Sequence, residues 1–197
     1  VYRDLGEAPA ALEYYQKAVA CADTTAEDCD YRNLCKVCRQ TAIVLHNQKL
    51  VDEELRMKRL AYTYARKAND TVAMISAFES EVGTYYTLRD YDRVLKISDS
   101  VSYLYSKCGY KDKAARAIFI QIDIYLKRGD IKNAEACLHK YEKYGNIFSS
   151  SGSVKHGFEL YYYYKGLSLL AGNRVDSAEH YFRKMLTGSA RDEKEAA

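Results

Sequence analysis

Residues 125–141, YLKRGDIKNAEACLHKY, contain the end of one helical pattern, a turn, and a second helical pattern. The turn is marked by Gly129 and Asp130, residue types that end one helix and cap the next. The apolar positions around it are Ile118, Ile122, Tyr125 and Leu126, and then Ile131, Ala134, Leu138 and Tyr141. Because this spacing gives each helix one apolar stripe, the stretch predicts a helical hairpin.

The same arrangement recurs along the chain. It is found in residues 5–18 (LGEAPAALEYYQKA), 82–101 (VGTYYTLRDYDRVLKISDSV) and 165–185 (KGLSLLAGNRVDSAEHYFRKM). Repetition of one hairpin indicates a repeat architecture, in which each hairpin covers the apolar face of its neighbours.

A small or apolar residue early in each second helix sets the period, and we call this place the anchor position. Val94, Ala134 and Ala178 occupy it and are separated by 40 and 44 residues. One more unit fits before them, but its anchor falls on the charged Glu53 or Glu54. That unit is therefore expected to depart from the pattern.

The chain is predicted to be a single domain of repeat units. The units are 1–22, 27–68, 71–108, 111–144 and 155–187. Helices are expected over 8–22, 27–47, 49–68, 71–88, 91–108, 111–128, 131–144, 155–171 and 175–187, with a loop over 145–154 and a tail, 188–197, that could open another helix. The expected caps are Asp90, Asp130 and Asn173 at helix starts and Gly109, Gly129 and Gly145 at helix ends.

Composition agrees with long helices. The 197 residues include ten glycines and one proline, and these residue types cost about 1 and 3 kcal/mol inside a helix. So few breakers exclude a many-stranded sandwich or barrel, whose turns need both. The formal net charge is only +3, which gives no global field for nucleic acid or an anionic membrane.

These residues resemble the tetratricopeptide repeat family over essentially the whole chain. The matching positions are Gly6, Ala11, Tyr15 and Ala18; Phe78, Tyr85, Tyr91 and Val94; Tyr125, Gly129 and Ala134; and Tyr162, Gly166, Ala178 and Phe182. The resemblance implies an all-α fold, a right-handed α-α superhelix of about four and a half helix pairs. In such repeats small residues let paired helices approach, and aromatic residues fill the space between pairs.

Three departures from the family pattern bear on the geometry. The period is nearer 40 than 34, the proline that closes each repeat is missing, and the second unit lacks its small anchor. Helices should therefore be longer than in consensus repeats. Seven tyrosines hold core-like positions: Tyr14, Tyr15, Tyr85, Tyr91, Tyr125, Tyr141 and Tyr162.

Residues 161–185 are similar to repeat domains of bacterial envelope proteins, in which such a domain precedes a membrane helix and a signalling output, or belongs to a lipoprotein. The resemblance implies a periplasmic or cell-envelope sensor or scaffold, with the cytoplasm as the alternative compartment. The chain begins without Met and inside a repeat, so we interpret it as part of a longer protein. No stretch approaches the 18 apolar residues of a membrane span, so no direct membrane insertion is expected.

Catalytic motifs are not found in the sequence. There is no Gly-rich phosphate loop, no His-Glu-x-x-His and no Gly-x-Ser-x-Gly. The four histidines are scattered, and no pair of carboxylates stands out. We therefore expect a protein that is not an enzyme and that needs no cofactor or metal.

Cys35 and Cys38 form the sharpest cluster, with Cys21 and Cys29 nearby in the sequence. Positions i and i+3 share a helix face, so the two sulfurs could bind one metal. The alternatives are packing as small apolar residues between helices, or a disulfide such as Cys21 with Cys29. Packing is the favoured interpretation.

The resemblance also implies a concave groove faced by the first helices of the repeats, which could hold an extended peptide. The groove residues are Lys36, Arg39, Gln40 and Asn47, with His46; Glu79 and Tyr86, with Ser76 and Thr87; Arg116, Phe119, Asp123 and Lys127; and Tyr163. The Lys/Asn set of a carboxylate clamp is not present among them. The sequence thus favours a non-catalytic module whose partner is a protein or peptide, and the alternative is an assembly domain that dimerises or stacks through its terminal repeats.

Overall fold

The computed structural model describes residues 8–26 and 28–195, and this part of the chain is helical. Its helices are α1 (Ala8–Ala20), α2 (Tyr31–Asn47), α3 (Val51–Lys67), α4 (Thr71–Glu79), α5 (Glu81–Thr87), α6 (Tyr91–Lys107), α7 (Lys111–Lys127), α8 (Ile131–Gly145), α9 (Leu160–Ala171) and α10 (Val175–Glu195). Among the described residues, extended pairing is confined to a single bridge between Phe148 and Val154. The all-α class is confirmed.

The chain divides into two compact units, Val1–Ile97 and Ser98–Ala197. We call them the N-terminal and C-terminal units. Each unit has its own core, and the division falls within α6.

The core of the N-terminal unit lies where α2, α3 and α4 pack together. Its buried members are Leu34, Cys35, Cys38, Ala61, Tyr64, Ala65 and Ala77. Cys35 and Cys38 are 3% and 0% exposed, which agrees with the packing interpretation for both. Burial raises the pKa of the Cys38 thiol to about 12, so this sulfur is held as a neutral thiol.

The core of the C-terminal unit is aromatic and lies between α7, α8 and α9. Its buried members are Ala115, Ile118, Ile122, Cys137, Leu138, Tyr141, Ile147, Phe158 and Tyr161. The helices α9 and α10 approach closely at Gly166, where an added Cβ would stand 2.5 Å from the ring of Phe182. The predicted role of this small residue is thereby explained, because any larger residue would push the two helices apart.

Six turns between helices share one backbone geometry. Each has a residue with φ between 53° and 80°: Lys49, Asn69, Arg89, Gly109, Gly129 and Asn173. The backbone N–H of this residue donates a hydrogen bond to the carbonyl three residues before it. The N–H of the following residue donates to the carbonyl five residues before that following residue. This Schellman arrangement satisfies the last carbonyls of the preceding helix. The first five of these turns are 20 residues apart, so the predicted 40-residue period is confirmed there.

The predicted caps are confirmed in part. Asp90 and Asp130 each accept a hydrogen bond from the backbone N–H three residues on. Asn173 is not a helix cap, because it holds the left-handed position of the turn before α10. Gly145 is the last residue of α8, and Asn146, with φ 44°, takes the left-handed conformation instead.

Several predicted helix boundaries were wrong. The second helix begins at Tyr31 rather than at 27, and the helix predicted over 71–88 is divided at Ser80. The helix predicted from 155 begins at Leu160 because the irregular segment before it continues to the core residue Phe158. The helix predicted to end at 187 is continuous to Glu195, so the tail opens no separate helix.

A few predicted repeat residues fall outside the part of the chain that is described. These are Gly6 and Glu27, together with the side chain of Ala11. Tyr14 was wrongly predicted as a core residue, since it is 54% exposed. None of the described helices combines the length and the apolar character that crossing a bilayer requires.

Candidate functional site

The anchor position of the second unit is occupied by Glu54. The anchors Val94, Ala134 and Ala178 are 0%, 0% and 1% exposed, and Glu54 is also only 1% exposed. A carboxylate is therefore buried where the third, fourth and fifth units bury an uncharged apolar residue. Burying a charge is costly unless it is paired and hydrogen-bonded, so the surroundings of Glu54 decide what this site can do.

Three side chains satisfy the Glu54 carboxylate. Its Oε1 accepts hydrogen bonds from Lys58 Nζ and from Thr84 Oγ1, the latter at 2.6 Å. Its Oε2 lies 3.2 Å from His46 Nδ1. The partners come from α2, α3 and α5, so the carboxylate ties three helices of the N-terminal unit together.

Lys58 is nearly as well enclosed, with a side chain that is 12% exposed. Its Nζ donates at 2.7 Å to the carbonyl of Ser80 and at 2.7 Å to Thr84 Oγ1. A side chain that bonds a helical carbonyl competes with the helix's own hydrogen bond at that point. This contact explains why the helix predicted over 71–88 is divided into α4 and α5 at Ser80.

The network keeps the Glu54 carboxyl ionised. Burial alone would raise the pKa of this carboxyl, but the hydrogen bonds from Lys58 and Thr84, the Lys58 charge and the His46 contact hold the pKa below its usual value. The site is thus a fixed ion pair rather than a proton donor at neutral pH.

Two adjoining pockets open over this network, and we call them together the Glu54 pocket. One, of about 300 Å³, is lined by Arg39, Ala42, Ile43, His46, Glu54, Lys58, Ser80, Gly83 and Thr84. The other, of about 330 Å³, is lined by His46, Asn47, Lys49, Val51, Glu54, Thr84, Thr87 and Leu88. Because they share His46, Glu54 and Thr84, the two form one concave surface along α2.

The rim of the Glu54 pocket is basic and apolar. Arg39 and Lys49 form no ion pair with any residue in the described part of the chain. Ile43 and Leu88 are 46% and 50% exposed. The Glu54 charge is matched by Lys58, so the two rim cations remain as an excess of positive charge.

The predicted groove residues of the N-terminal unit are only partly gathered at this pocket. Arg39 and Asn47 line it, as do His46 and Thr87. The other five predicted residues do not line it: Lys36, Gln40, Ser76, Glu79 and Tyr86. Lys36 is exposed on α2, whereas Gln40, Glu79 and Tyr86 are half-buried.

The remaining predicted groove residues lie in the C-terminal unit. Phe119 is half-buried, with its ring 4.2 Å from that of Tyr141, so it belongs to the aromatic core. Arg116 stacks 5.7 Å from the Phe158 ring centre, and Lys127 bonds Asp123 at 2.8 Å. Tyr163 is 39% exposed, and its ring contacts the rings of Tyr164 and Phe182.

Sequence reasoning missed the residues at the centre of the site. The repeat pattern identifies Glu54 only as one of two charged residues at the anchor position, and it does not single out Lys58, Gly83 or Thr84. The available signal was the irregularity itself, because a charged residue at a repeat's buried position requires a buried partner. Lys58, one helical turn after Glu54, is such a partner.

A second buried carboxyl, Glu81, borders the network at the start of α5 and is 9% exposed. Burial raises the pKa of Glu81, while the charges of Arg59 and Lys58 act in the opposite direction. A raised pKa means that the folded chain binds this proton more tightly than the unfolded chain. The ionised form therefore destabilises the folded state as pH rises through that pKa.

We expect the Glu81→Gln variant to be more stable than the wild type at pH 7. The difference should vanish as pH falls below about 4.3, the ordinary pKa of Glu in an unfolded chain. Urea unfolding followed by circular dichroism between pH 3.5 and 7 measures it, with the exposed neighbour Glu53→Gln as the control. A variant that is less stable than the wild type at pH 7 would contradict the assignment.

A similar protein is found by comparing structures but not by comparing sequences. No protein-family model matches the chain, and no curated protein does so. Among solved structures the chain is similar to BtubC (BKLC) from P. vanneervenii, with a TM-score of 0.77 and 12% sequence identity; the match covers 97% of this chain and 77% of that one. At this level of identity the likeness shows that the chain has an all-helical fold of the same kind.

Proposed function

We propose that this protein is a non-catalytic binding module that holds an extended segment of a partner protein in the Glu54 pocket. The observation that carries the proposal is the buried ion pair at an anchor position, with a concave surface above it lined from α2, α3 and α5. In three other units the same position is filled by a buried apolar residue, Val94, Ala134 or Ala178. A charged group buried in this place supports a role in holding a ligand.

The geometry of the pocket suits recognition rather than reaction. Glu54 is held in its ionised form by His46, Lys58 and Thr84, so it has no proton to donate to a substrate. The same bonds fix the pocket walls before a ligand arrives. Walls that are already ordered lose less conformational entropy on binding, and a rigid concave surface suits an extended peptide.

We also propose the kind of protein to which this chain belongs. A right-handed superhelix of the tetratricopeptide type is supported by the matches to that repeat pattern, by the 40-residue period and by the helical fold of the similar solved structure. The resemblance of residues 161–185 to envelope repeat domains supports a sensor or scaffold part of a bacterial envelope signalling protein. The compartment can be tested by fractionating cells that express the tagged full-length gene product.

Gly83 offers the sharpest test of the pocket. It lines the pocket, and nothing stands within 4 Å of the place that its Cβ would occupy. We expect Gly83→Phe to fold normally, because it removes a glycine from a helix and its Cβ meets no atom within 4 Å. We also expect it to abolish the binding of those peptides on an array of random 12-residue peptides that the wild type binds.

Three further variants complete this experiment. Gly83→Ala adds only a methyl group and should keep peptide binding. Arg39→Ala should weaken binding, whereas Lys36→Ala, on the same helix but outside the pocket, should not. If Gly83→Phe binds the same peptides as the wild type, the pocket is not the binding site.

Assembly through a terminal helix pair is the second candidate function. It is favoured by the exposed apolar residues of α9 and α10, since Leu170, Val175 and Leu186 are 47%, 56% and 71% exposed. A mass that rises with concentration in sedimentation equilibrium, and that Leu186→Ser returns to the monomer value, would support this function. A concentration-independent monomer would rule it out.

A further inference from the structure

The chemistry and the dimensions of the Glu54 pocket define the segment that it holds. We propose that its ligand is an extended peptide with two acidic side chains four residues apart and an apolar side chain midway between them. This inference rests on the proposed binding function and adds the partner's chemistry and spacing.

The charge of the pocket rim indicates the charge of the ligand. The rim cations Arg39 and Lys49 have no ion-pair partner within the described residues. Glu54 does not compete for a ligand's positive charge, because Lys58 and Thr84 already occupy its inner oxygen. A basic rim with no free carboxylate repels cationic side chains and attracts carboxylates.

The spacing follows from the helix. Arg39, Ile43 and Asn47 are successive i, i+4 positions on one face of α2, so a little more than one helical turn places them at intervals of about 6 Å. Lys49 follows in the turn after Asn47. The two cations are therefore roughly 12–15 Å apart along the helix direction.

An extended chain advances about 3.3 Å per residue, and its alternate side chains share one face. Positions i and i+4 of such a chain span roughly 13 Å on the same face. They match Arg39 and Lys49, and position i+2 falls opposite Ile43, which is 46% exposed. Position i+5 covers a similar length but points away, so the match depends on an even spacing.

The test uses capped synthetic peptides, N-acetylated and C-amidated so that no terminal carboxylate takes part. The principal peptide contains Asp-Ser-Leu-Ser-Asp in a glycine–serine frame. Comparison peptides place the two aspartates two, five or six residues apart, or replace each aspartate singly with asparagine. Isothermal titration calorimetry with the full chain gives the affinities.

We expect the peptide with spacing four to bind most tightly, and each Asp→Asn replacement to weaken binding about fivefold, as for a solvent-exposed ion pair. The protein variants are Arg39→Ala and Lys49→Asn. Asparagine accepts the left-handed conformation, as Asn69 does at the equivalent turn. In each protein variant, one of the two Asp→Asn replacements in the peptide should no longer change the affinity. Such a loss of effect shows that the replaced cation and the replaced aspartate contact each other directly. Lys36→Ala is the matched control and should leave every affinity unchanged.

The outcomes separate this inference from the function on which it rests. Equal affinities for spacings four and five, or no coupling between protein and peptide replacements, overturns the inference. If Gly83→Phe still abolishes array binding in that case, the pocket function stands without it. Failure of the spacing-four peptide to bind at all also overturns the inference.

Discussion

The Glu54→Ala variant should lose about 3 kcal/mol of the free energy of unfolding, because it leaves Lys58 enclosed without its countercharge. Lys58 would keep only neutral partners, the carbonyl of Ser80 and the hydroxyl of Thr84. For a domain whose total stability is about 5–15 kcal/mol, a loss of this size is large. Urea unfolding followed by circular dichroism measures it, and the exposed neighbour Glu53→Ala should change little.

The chain itself supplies the compensating variant. The residues that correspond to Glu54 and Lys58, 80 positions further on, are Ala134 and Leu138, and both are 0% exposed. The double variant Glu54→Ala/Lys58→Leu therefore copies an arrangement that already packs in this protein. We expect it to recover most of the lost stability, because replacing a buried ion pair with apolar residues is often neutral or favourable.

The double variant should nevertheless fail to bind the array peptides, since it removes the charges that order the pocket. Stability and binding would then be separated in one molecule. If Glu54→Ala alone proves as stable as the wild type, the carboxylate does not hold the network as described.

Replacing Tyr141 with alanine should cost about 3–5 kcal/mol, the usual range for removing a large aromatic side chain from a core. Tyr141 is 0% exposed, and its ring lies 4.2 Å from Phe119, 6.0 Å from Phe158 and 6.4 Å from Tyr161, centre to centre. Tyr141 therefore joins three aromatic side chains of the C-terminal core. The cavity left by its removal would be lined by rings that cannot collapse into it without losing their own contacts.

Tyr141→Phe is the matched control. The Tyr141 hydroxyl is buried and has no hydrogen-bond partner among the described residues, and burial raises the pKa of this phenol, so it stays neutral. Removing an unsatisfied buried hydroxyl while keeping the ring should leave the protein at least as stable as the wild type. Thermal unfolding by circular dichroism distinguishes the two variants, and the exposed Tyr103→Ala should change little. A clearly destabilised Tyr141→Phe variant would show that the hydroxyl is bonded after all.

Much of the helical organisation could be predicted because it depends on local spacing. The anchors Val94, Ala134 and Ala178 and the glycine turns at Gly109 and Gly129 are visible in the sequence, and each has a direct structural counterpart. At one of the wrong boundaries, a contact distant in sequence is the reason. The helix over 71–88 is divided by Lys58, which lies 22 residues before Ser80, and no pattern within the helix announces it.

The candidate site was harder to predict for the same reason. Arg39 and Asn47 could be placed by helix register alone, and the structure puts both at the pocket. The network beneath them requires Glu54 to meet Thr84, 30 residues further on, and periodicity does not reveal such a pairing. Asn173 shows the converse, since a residue type that suits a helix cap also suits a left-handed turn, and only the backbone decides between them.

The evenly spaced turns have a consequence for how this chain arose and how it folds. The strongest helix pairings within each unit are between consecutive helices, such as α2 with α3 and α7 with α8. Contacts that are near in sequence close short loops, which lets such chains fold quickly and one hairpin at a time. Each hairpin also needs only its neighbours for burial. A duplicated stretch of 40 residues could therefore pack against the hairpin from which it was copied. A gene encoding this chain could then lengthen by whole hairpins without changes to the existing core.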